Sequence, residues 1–293
     1  MTTPLAALVL LLVSSVAWSG LDLTRKLLTA RMRPLPLLVL MAALPAPAYF
    51  LWMWLDGFPR VPLGYWLPGL GSVALNVVAN LAFLRSVALS PLSATIPLLA
   101  LSPVFAALFA VPLLGEQPSA RQWVGILAVV AGALLLNARR GDAKSLGGLW
   151  GAFRREPGAP LMAAVALLWS AATALDKVAM LGSSAPFHAT VLNAGVAAAT
   201  LALLAMQGRL EELRGWTGSL GGFAAALLFS VVGLAGQLLA LRVLEVGVVE
   251  TVKRSLGFIL AVLLGRVVFG EPVTRHKLLA VLLMAAGVAA ILI

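Results

Sequence analysis

Three ionisable residues interrupt an apolar stretch in the second half of the chain. Glu250, Lys253 and Arg254 lie in the run 246–261, whose other residues are apolar or small. Helical spacing of three and four residues places the carboxylate on the same face as both bases, so it can pair with either. A charge left alone in hydrocarbon costs about 3 kcal/mol or more, so this face must point into a protein interior. We expect it to bind or gate an anionic or zwitterionic solute, with a purely structural ion pair as the alternative.

Two further carboxylates lie within apolar stretches. Asp22 is followed by Lys26 one helical turn later, and Asp176 is followed directly by Lys177. A carboxylate cannot reach far toward the membrane surface, and one that alternates between pairing and binding a proton can couple a carrier to a proton gradient. We therefore expect Asp22 or Asp176 to exchange protons. Lys26 can equally be an ordinary cationic anchor at a helix end.

A second group of charges is predicted near one membrane face. Asp176 and Lys177 are near the end of one apolar run, and Arg242 and Glu245 are near the end of another. If the runs alternate in direction, all four lie at the face where the run containing Glu250 begins. They can form a charged vestibule, or an interhelical salt-bridge network that only fixes packing.

Aromatic and amide side chains complete the set of candidate site residues. Trp18 and Trp169 lie well inside their runs rather than at the interface, where they can stack on a flat or cationic ligand or simply pack in the core. Asn80 and Gln237 are amides that must find partners in a dry bundle. Lining of a cavity and hydrogen bonding between helices are comparable explanations for them.

The composition indicates that most of these residues lie in a membrane. Of the 293 residues, 61% are hydrophobic and only 11% are charged, and the mean hydropathy is +1.03, which indicates a polytopic membrane protein. The net charge of +10 does not indicate nucleic-acid binding, because the bases gather at the ends of apolar runs. With no cysteine and two isolated histidines, we expect no metal site and no cofactor. An enzyme acting on a lipid-linked substrate is disfavoured for the same reason.

About ten apolar runs are each long enough to cross a bilayer, and prolines stand at or near many of their ends. Three prolines, Pro97, Pro103 and Pro112, fall inside the fourth run and predict a kink there. The runs are 4–28, 34–55, 63–88, 91–114, 119–138, 160–181, 186–207, 219–244, 247–269 and 274–293.

The two halves of the chain resemble each other. Five short matches recur in the same order: Trp18-Ser19 with Trp169-Ser170, Lys26 with Lys177, Leu84-Arg85 with Leu241-Arg242, Gly115-Glu116 with Gly270-Glu271, and Gly132 with Gly287. They predict a first repeat over 1–138, a basic connecting loop over 139–159 and a second repeat over 160–293. Because each repeat has an odd number of runs, the second copy must be inverted in the membrane, an arrangement that many secondary transporters use for alternating access.

The orientation in the membrane is predicted from lysine and arginine in the loops. The connections after the first, fifth, seventh and ninth runs hold most of these bases, which predicts that both termini lie outside. The glycines and alanines of 119–138 and 274–293 allow close helix contact, either within one chain or between subunits, so a monomer and a homodimer are both open.

The motifs of the first half resemble a known family. Pro91-Leu92-Ser93, Ser102-Pro103-Val104, Gly115-Glu116 and Gln122-Trp123-Val124-Gly125-Ile126 are similar, in this order, to the repeat of EamA-type members of the drug/metabolite transporter superfamily. The second half, from Arg242 to Gly287, resembles the same repeat. This resemblance implies a ten-helix carrier with a central cavity that exports small organic solutes without ATP, and it commonly goes with termini inside rather than outside.

Together these patterns predict an all-α membrane protein of ten transmembrane helices in two inverted five-helix repeats, located in the bacterial inner membrane. We expect a central site walled by the first, third, fourth, sixth, eighth and ninth runs. The expected function is secondary transport of a small organic metabolite or drug, with proton coupling and solute exchange both open as driving forces. A flippase for a lipid or a lipid-linked precursor is the alternative.

Overall fold

The computed structural model describes residues 4–90, 95–137, 156–269 and 274–292, and these residues form helices and connections without a strand. The helices are α1 (Pro4–Thr29), α2 (Pro34–Ala43), α3 (Ala46–Asp56), α4 (Trp66–Leu89), α5 (Ser102–Leu114), α6 (Ala120–Asn137), α7 (Ala159–Leu181), α8 (Ala185–Met206), α9 (Leu220–Leu241), α10 (Val246–Phe269) and α11 (Arg275–Leu292). Short 3₁₀ helices span Leu63–Tyr65, Ile96–Leu101 and Leu210–Ser219. The predicted loop 139–159 and the pair Gly270-Glu271 fall largely or wholly outside the described residues.

Most of the helices are suited to cross a bilayer. Within the described ranges, seven segments are long and apolar enough to span it, with α2 and α3 together counting as one such segment, Pro34–Asp56. The segments Leu98–Leu114 and Ala120–Leu136 are apolar but shorter. Helix α10 has 24 residues but carries Glu250, Lys253 and Arg254 in its first half. The chain is therefore an all-α, multi-pass membrane protein, as the sequence predicts.

Prolines explain two departures from the predicted runs. The run 34–55 is divided into α2 and α3 at Pro45, which has no N–H to continue the helical ladder, although the amide of Leu44 still bonds to the carbonyl of Leu40. In the fourth run, the expected kink takes the form of a change in helix type: a 3₁₀ helix that includes Pro97 precedes α5, which begins just before Pro103.

The two halves pack with twofold symmetry. Helix α1 packs along α9 of the other half, and its counterpart α7 packs along α4. In the same way α1 contacts α10, and α7 contacts α5. Further large contacts join counterparts directly: α2 and α3 with α8, α5 with α10, and α6 with α11. Exchange of the two halves maps these contacts onto one another, as expected of inverted repeats. The contact of α4 with α8 departs from this symmetry, because its counterpart between α2 and α9 is small.

The contact between α6 and α11 is a close approach of two backbones. A Cβ atom at Gly125 would lie 2.5 Å from the carbonyl oxygen of Gly287, and one at Gly287 would lie 2.7 Å from that of Gly125. Met284 fills the corresponding space beside Gly132, where an added Cβ would meet its Cγ at 2.6 Å. These glycines are used for packing within one chain, which was one of the two explanations open from the sequence.

An exposed ionic contact joins two connections at one end of the bundle. Glu212, in the 3₁₀ helix Leu210–Ser219, accepts hydrogen bonds from Arg209 Nε at 2.8 Å and from Arg33 Nη1 at 3.1 Å. The hydrogen bonds from Arg209 hold the pKa of the Glu212 carboxyl below its ordinary value. The connection between α1 and α2 is thus tied to the one between α8 and α9.

Candidate functional site

A cavity lies between the two halves. Its volume is about 100 Å³, within about 900 Å³ of space free of protein atoms that includes open solvent. Its walls come from α1, α2, α4, α7, α8, α9 and α10. The fourth run was expected to contribute, but no described residue of α5 lines the cavity, because α5 packs behind α7 and α10. Helices α2 and α8, which were not expected, contribute in its place.

Many of the predicted site residues meet in this cavity. Eight of them line it: Trp18, Asp22, Asn80, Trp169, Asp176, Gln237, Lys253 and Arg254. Glu250 lies directly behind Lys253, with its side chain 1% exposed. Residues far apart in the sequence are thus brought together by the packing of one repeat against the other.

The charged face of α10 forms one buried cluster. Glu250 Oε1 accepts hydrogen bonds from Lys253 Nζ and, at 3.3 Å, from Thr173 Oγ1 on α7. Arg254 Nε lies 3.6 Å from Glu250 Oε2, too far for a good hydrogen bond. Lys253 Nζ also donates to Gln237 Oε1 at 3.0 Å. Two cations share one carboxylate, so the cluster carries a formal charge of +1 and keeps unused donors on Arg254.

A second charged group stands on α1. Arg25 Nη1 lies 3.2 Å from Asp22 Oδ1, and Arg25 Nη2 donates to Asn80 Oδ1 at 3.0 Å. Arg25 is 8% exposed and lines the cavity. Arg25 was not among the predicted site residues, because a base near a helix end resembles an ordinary membrane anchor. Its position three residues after Asp22, on the same helix face, was the signal that could have identified it.

The two tryptophans are covered by the protein's own cations. The guanidinium of Arg25 lies 5.9 Å from the ring centre of Trp18 and 5.6 Å from that of Trp169. Lys253 Nζ lies 5.7 Å from the Trp18 ring, and Arg254 lies 5.8 Å from the Trp169 ring. These rings stabilise buried cations of the chain itself, which leaves less of their faces for a cationic ligand. The N–H of Trp18 is buried without a hydrogen-bond partner among the described residues.

Asp176 enters the cavity from the opposite wall. Ser72 Oγ donates to Asp176 Oδ1, and His188 Nε2 lies 3.0 Å from the same oxygen. The other ring nitrogen, His188 Nδ1, lies 3.1 Å from the hydroxyl of Tyr65. His188 and Tyr65 are 0% and 1% exposed. Neither His188 nor Tyr65 was predicted from the sequence, because an isolated histidine has no motif and its partners lie on other helices.

Four of the predicted residues lie away from the cavity. Lys177 Nζ bonds to Glu116 Oε1 at 2.7 Å, Glu245 accepts from Gln122 at 2.8 Å, and Arg242 is exposed. Lys26 Nζ reaches the carbonyl oxygens of Val87 and, at 3.4 Å, Ser90. The vestibule expected from Asp176, Lys177, Arg242 and Glu245 is therefore not assembled. Adjacent residues of a helix point about 100° apart, so Asp176 faces inward while Lys177 does not.

Metal binding finds no support in this region. Within the described ranges, no three or more His, Cys, Asp and Glu side chains are grouped closely enough to hold a metal ion. The ionisable residues that line the cavity include both acids and bases, which suits a charged organic group.

The comparisons with known proteins agree with this architecture. A solved crystal structure shares the fold, with a TM-score of 0.72 over 97% of this chain and 96% of its own, at 19% sequence identity. The chain is 38% identical over 109 residues to the probable 4-amino-4-deoxy-L-arabinose-phosphoundecaprenol flippase subunits ArnE of Pseudomonas paraeruginosa and Pseudomonas aeruginosa. This match covers 36% of the chain and 94% of each relative. The model of the EamA-like transporter family matches residues 5–138 and again 156–293. The chain therefore belongs to the EamA-like transporter family, whose members are membrane transporters or flippases rather than enzymes.

Proposed function

We propose that the protein is a secondary transporter of the bacterial inner membrane that exports a small anionic or zwitterionic organic solute by alternating access. The observation that carries this proposal is the buried cluster on α10, in which two cations share Glu250 at the wall of a cavity between inverted repeats. A cavity at the interface of such repeats is where secondary transporters bind their substrates.

The unsatisfied donors of the cavity favour an anionic group on the solute. Arg254 Nε and the N–H of Trp18 are buried and have no hydrogen-bond partner among the described residues, and Glu250 Oε2, 3.6 Å from Arg254 Nε, is likewise without one. A buried donor without a partner costs about 1–3 kcal/mol, which a bound acceptor would recover. A carboxylate can accept from the planar guanidinium of Arg254 at two positions, so it satisfies more donors than a neutral group can.

The distribution of charge favours a zwitterion over a simple anion. Asp22 pairs with Arg25, and the cluster on α10 has an excess positive charge, whereas Asp176 faces the same cavity with a histidine as its partner. A solute with a carboxylate and an ammonium would complement both ends. In the proposed cycle, Lys253 and Arg254 hold or gate the anionic group, Glu250 balances them, and Asp22 or Asp176 exchanges protons.

A thermal-shift screen tests this proposal. Purified protein in detergent is heated in the presence of amino acids, carboxylates, phosphorylated sugars and organic cations, because a ligand that binds only the folded state raises Tm. The screen is repeated with Arg254→Gln, which keeps the pair of Glu250 with Lys253, and with Arg242→Gln as the control, since Arg242 is exposed and outside the cavity. We expect a zwitterion or carboxylate to raise Tm in the control and not in Arg254→Gln. An equal rise in both variants would contradict the proposal.

A lipid-linked substrate is the second candidate. The ArnE flippase subunits are similar over 94% of their length, and the protein has a further open groove of about 480 Å³ whose lining includes Arg85 among leucines. Arg33 and Arg209, which share Glu212, line the same groove. Such a groove suits a phosphate on an apolar chain. A short-chain isoprenyl phosphate that raises Tm in the wild type and not in Arg85→Gln, with inorganic phosphate inactive, would favour the flippase.

A further inference from the structure

The contacts of Asp176 differ from those of the other acids of the cavity. Asp22 is paired with Arg25, and Glu250 is paired with Lys253 and Arg254, so each has an arginine among its partners, which remains cationic. Asp176 is paired with His188, a side chain that can be neutral or cationic. Of these acids, Asp176 therefore has the partner that can itself bind and release a proton.

The hydrogen-bond donors around Asp176 all lead toward its carboxylate oxygen Oδ1. Asn76 Nδ2 donates to Ser72 Oγ at 3.2 Å, so the Ser72 hydroxyl is free to donate to Asp176 Oδ1. His188 Nε2 contacts the same oxygen, and a neutral ring that donates there must accept at Nδ1. The Tyr65 hydroxyl, 3.1 Å from Nδ1, is placed to donate that bond. The ionised Asp176 carboxylate can only accept, so it selects the ring tautomer that directs the Nε2–H at it, and the Tyr65 hydroxyl can serve Nδ1 as donor or acceptor.

Burial determines the side from which a proton arrives. Asp176 is 4% exposed and lines the cavity, whereas His188 and Tyr65 are enclosed at 0% and 1%. The other charged groups that line the cavity are Asp22 and Arg25 on α1 and Lys253 and Arg254 on α10; they form ion pairs, although Arg254 Nε makes no hydrogen bond within the described residues. Within the pair of Asp176 and His188, the carboxylate is therefore the group that meets the cavity contents, with the ring behind it.

We propose that Asp176 and His188 together are the proton-binding site of this carrier, with Tyr65 as the positioning residue that holds the ring by its Nδ1 in either tautomer. One proton from the cavity binds to the pair. It resides either on Asp176, as a carboxylic acid whose O–H is donated to Nε2 of the other tautomer, or on the ring, as an imidazolium that donates from Nε2 to the carboxylate and from Nδ1 to the Tyr65 oxygen. This inference rests on the proposed function, because a buried proton site drives transport only where the cavity opens alternately to the two faces.

The small number of histidines allows a direct measurement. The chain has two, and His276→Gln leaves His188 as the source of every ¹⁵N-histidine signal from the full chain in lipid nanodiscs. Ring nitrogen shifts are followed from about pH 4 to about pH 10, a range that brackets ordinary histidine titration. We expect the neutral ring to be protonated at Nε2, and Asp176→Asn to displace its titration midpoint by about one pH unit or more, because the paired charge is lost.

Asp22→Asn is the matched control, since it removes the same charge from the same cavity without touching the pair. We expect it to leave the midpoint nearly unchanged. Equal displacement by both variants, an Nδ1-protonated neutral ring, or no titration in this range would overturn the proposal. If Asp176→Asn does not fold, Tyr65→Phe decides: it removes the Nδ1 partner of the ring and must change the Nδ1 shift, and an unchanged Nδ1 shift would overturn the role of Tyr65. None of these measurements needs a solute, so their failure and a failure of the thermal-shift screen are separate results.

Discussion

Lys26 and Lys177 make equivalent contacts in the two halves of the molecule. Lys177 Nζ donates to the carbonyl oxygen of Leu244 at 2.8 Å, and Lys26 Nζ donates to that of Val87. Val87 and Leu244 follow the repeated Leu-Arg pairs at the same spacing, at the ends of counterpart helices. Each lysine thus binds carbonyls at a helix C-terminus, where a cation is favoured. Because the repeats are inverted, the two contacts lie at opposite faces of the membrane.

The contact of Lys177 is reinforced by an ion pair. Glu116, 9% exposed, binds Lys177 at 2.7 Å and also accepts from the amide of Val246 at the start of α10 at 2.9 Å. We expect Lys177→Met to lower the free energy of unfolding by about 3 kcal/mol, because it leaves a buried carboxylate unpaired. Adding Glu116→Gln should recover part of this loss. Thermal unfolding of the single and double variants measures the coupling, and strictly additive losses would show that the pair contributes nothing.

The two lysine contacts also predict the membrane face from which the cavity becomes accessible. If they hold the helix ends together at the two faces, loss of one favours opening at its own face. The chain has no cysteine, so Ala172→Cys in the cavity wall reports access without background. We expect Lys177→Met and Lys26→Met to raise its reaction with an impermeant maleimide from opposite sides of oriented proteoliposomes. Arg242→Met removes an exposed cation near Lys177 and should change neither rate. Increases from the same side in both variants would exclude this role.

The fold was largely predictable from the sequence, and particular residues show why. The recurrence of Trp18 at Trp169 and of Gly132 at Gly287 indicated two copies, and apolar length marked the membrane segments. The sequence pattern did not predict where a helix would be interrupted. The run 34–55 is uniformly apolar, yet Pro45 divides it into two helices. Propensity describes one segment at a time, whereas the choice between a kink and a break depends on the neighbouring helices.

The site was predictable only in part, for a related reason. Contacts within one helix, such as those of Glu250 with Lys253 and Arg254, follow from spacing. Contacts between helices do not: Asp176 reaches His188 and Ser72 on two other helices, while the adjacent Lys177 turns toward Glu116. Arg25 was not predicted to belong to the site, although it lies among Trp18, Asn80 and Trp169.

The buried cluster on α10 makes the three charges unequal in their effect on stability. Removal of the Glu250 charge leaves Lys253 and Arg254 close together without an acid between them, whereas removal of the Lys253 charge leaves an intact pair. We expect Glu250→Gln to destabilise the protein by about 3 kcal/mol or more and Lys253→Met by clearly less. Thermal unfolding of purified variants compares them. A Glu250→Gln protein as stable as the wild type would mean that water enters the cavity and screens the two cations.

The backbone contact between α6 and α11 gives the last prediction. At Gly287 an added Cβ would lie 2.7 Å from the Gly125 carbonyl oxygen, which no side-chain movement can relieve. We expect Gly287→Ala to force the helices apart and to cost about 1–3 kcal/mol. Gly221→Ala is the matched control, because Gly221 is also helical but has open space at its Cβ position, so its effect should stay within about 0.5 kcal/mol. Thermal unfolding reports both changes. Equal stability of the two variants would show that α6 and α11 separate without cost and that their glycines are free to pack against another subunit.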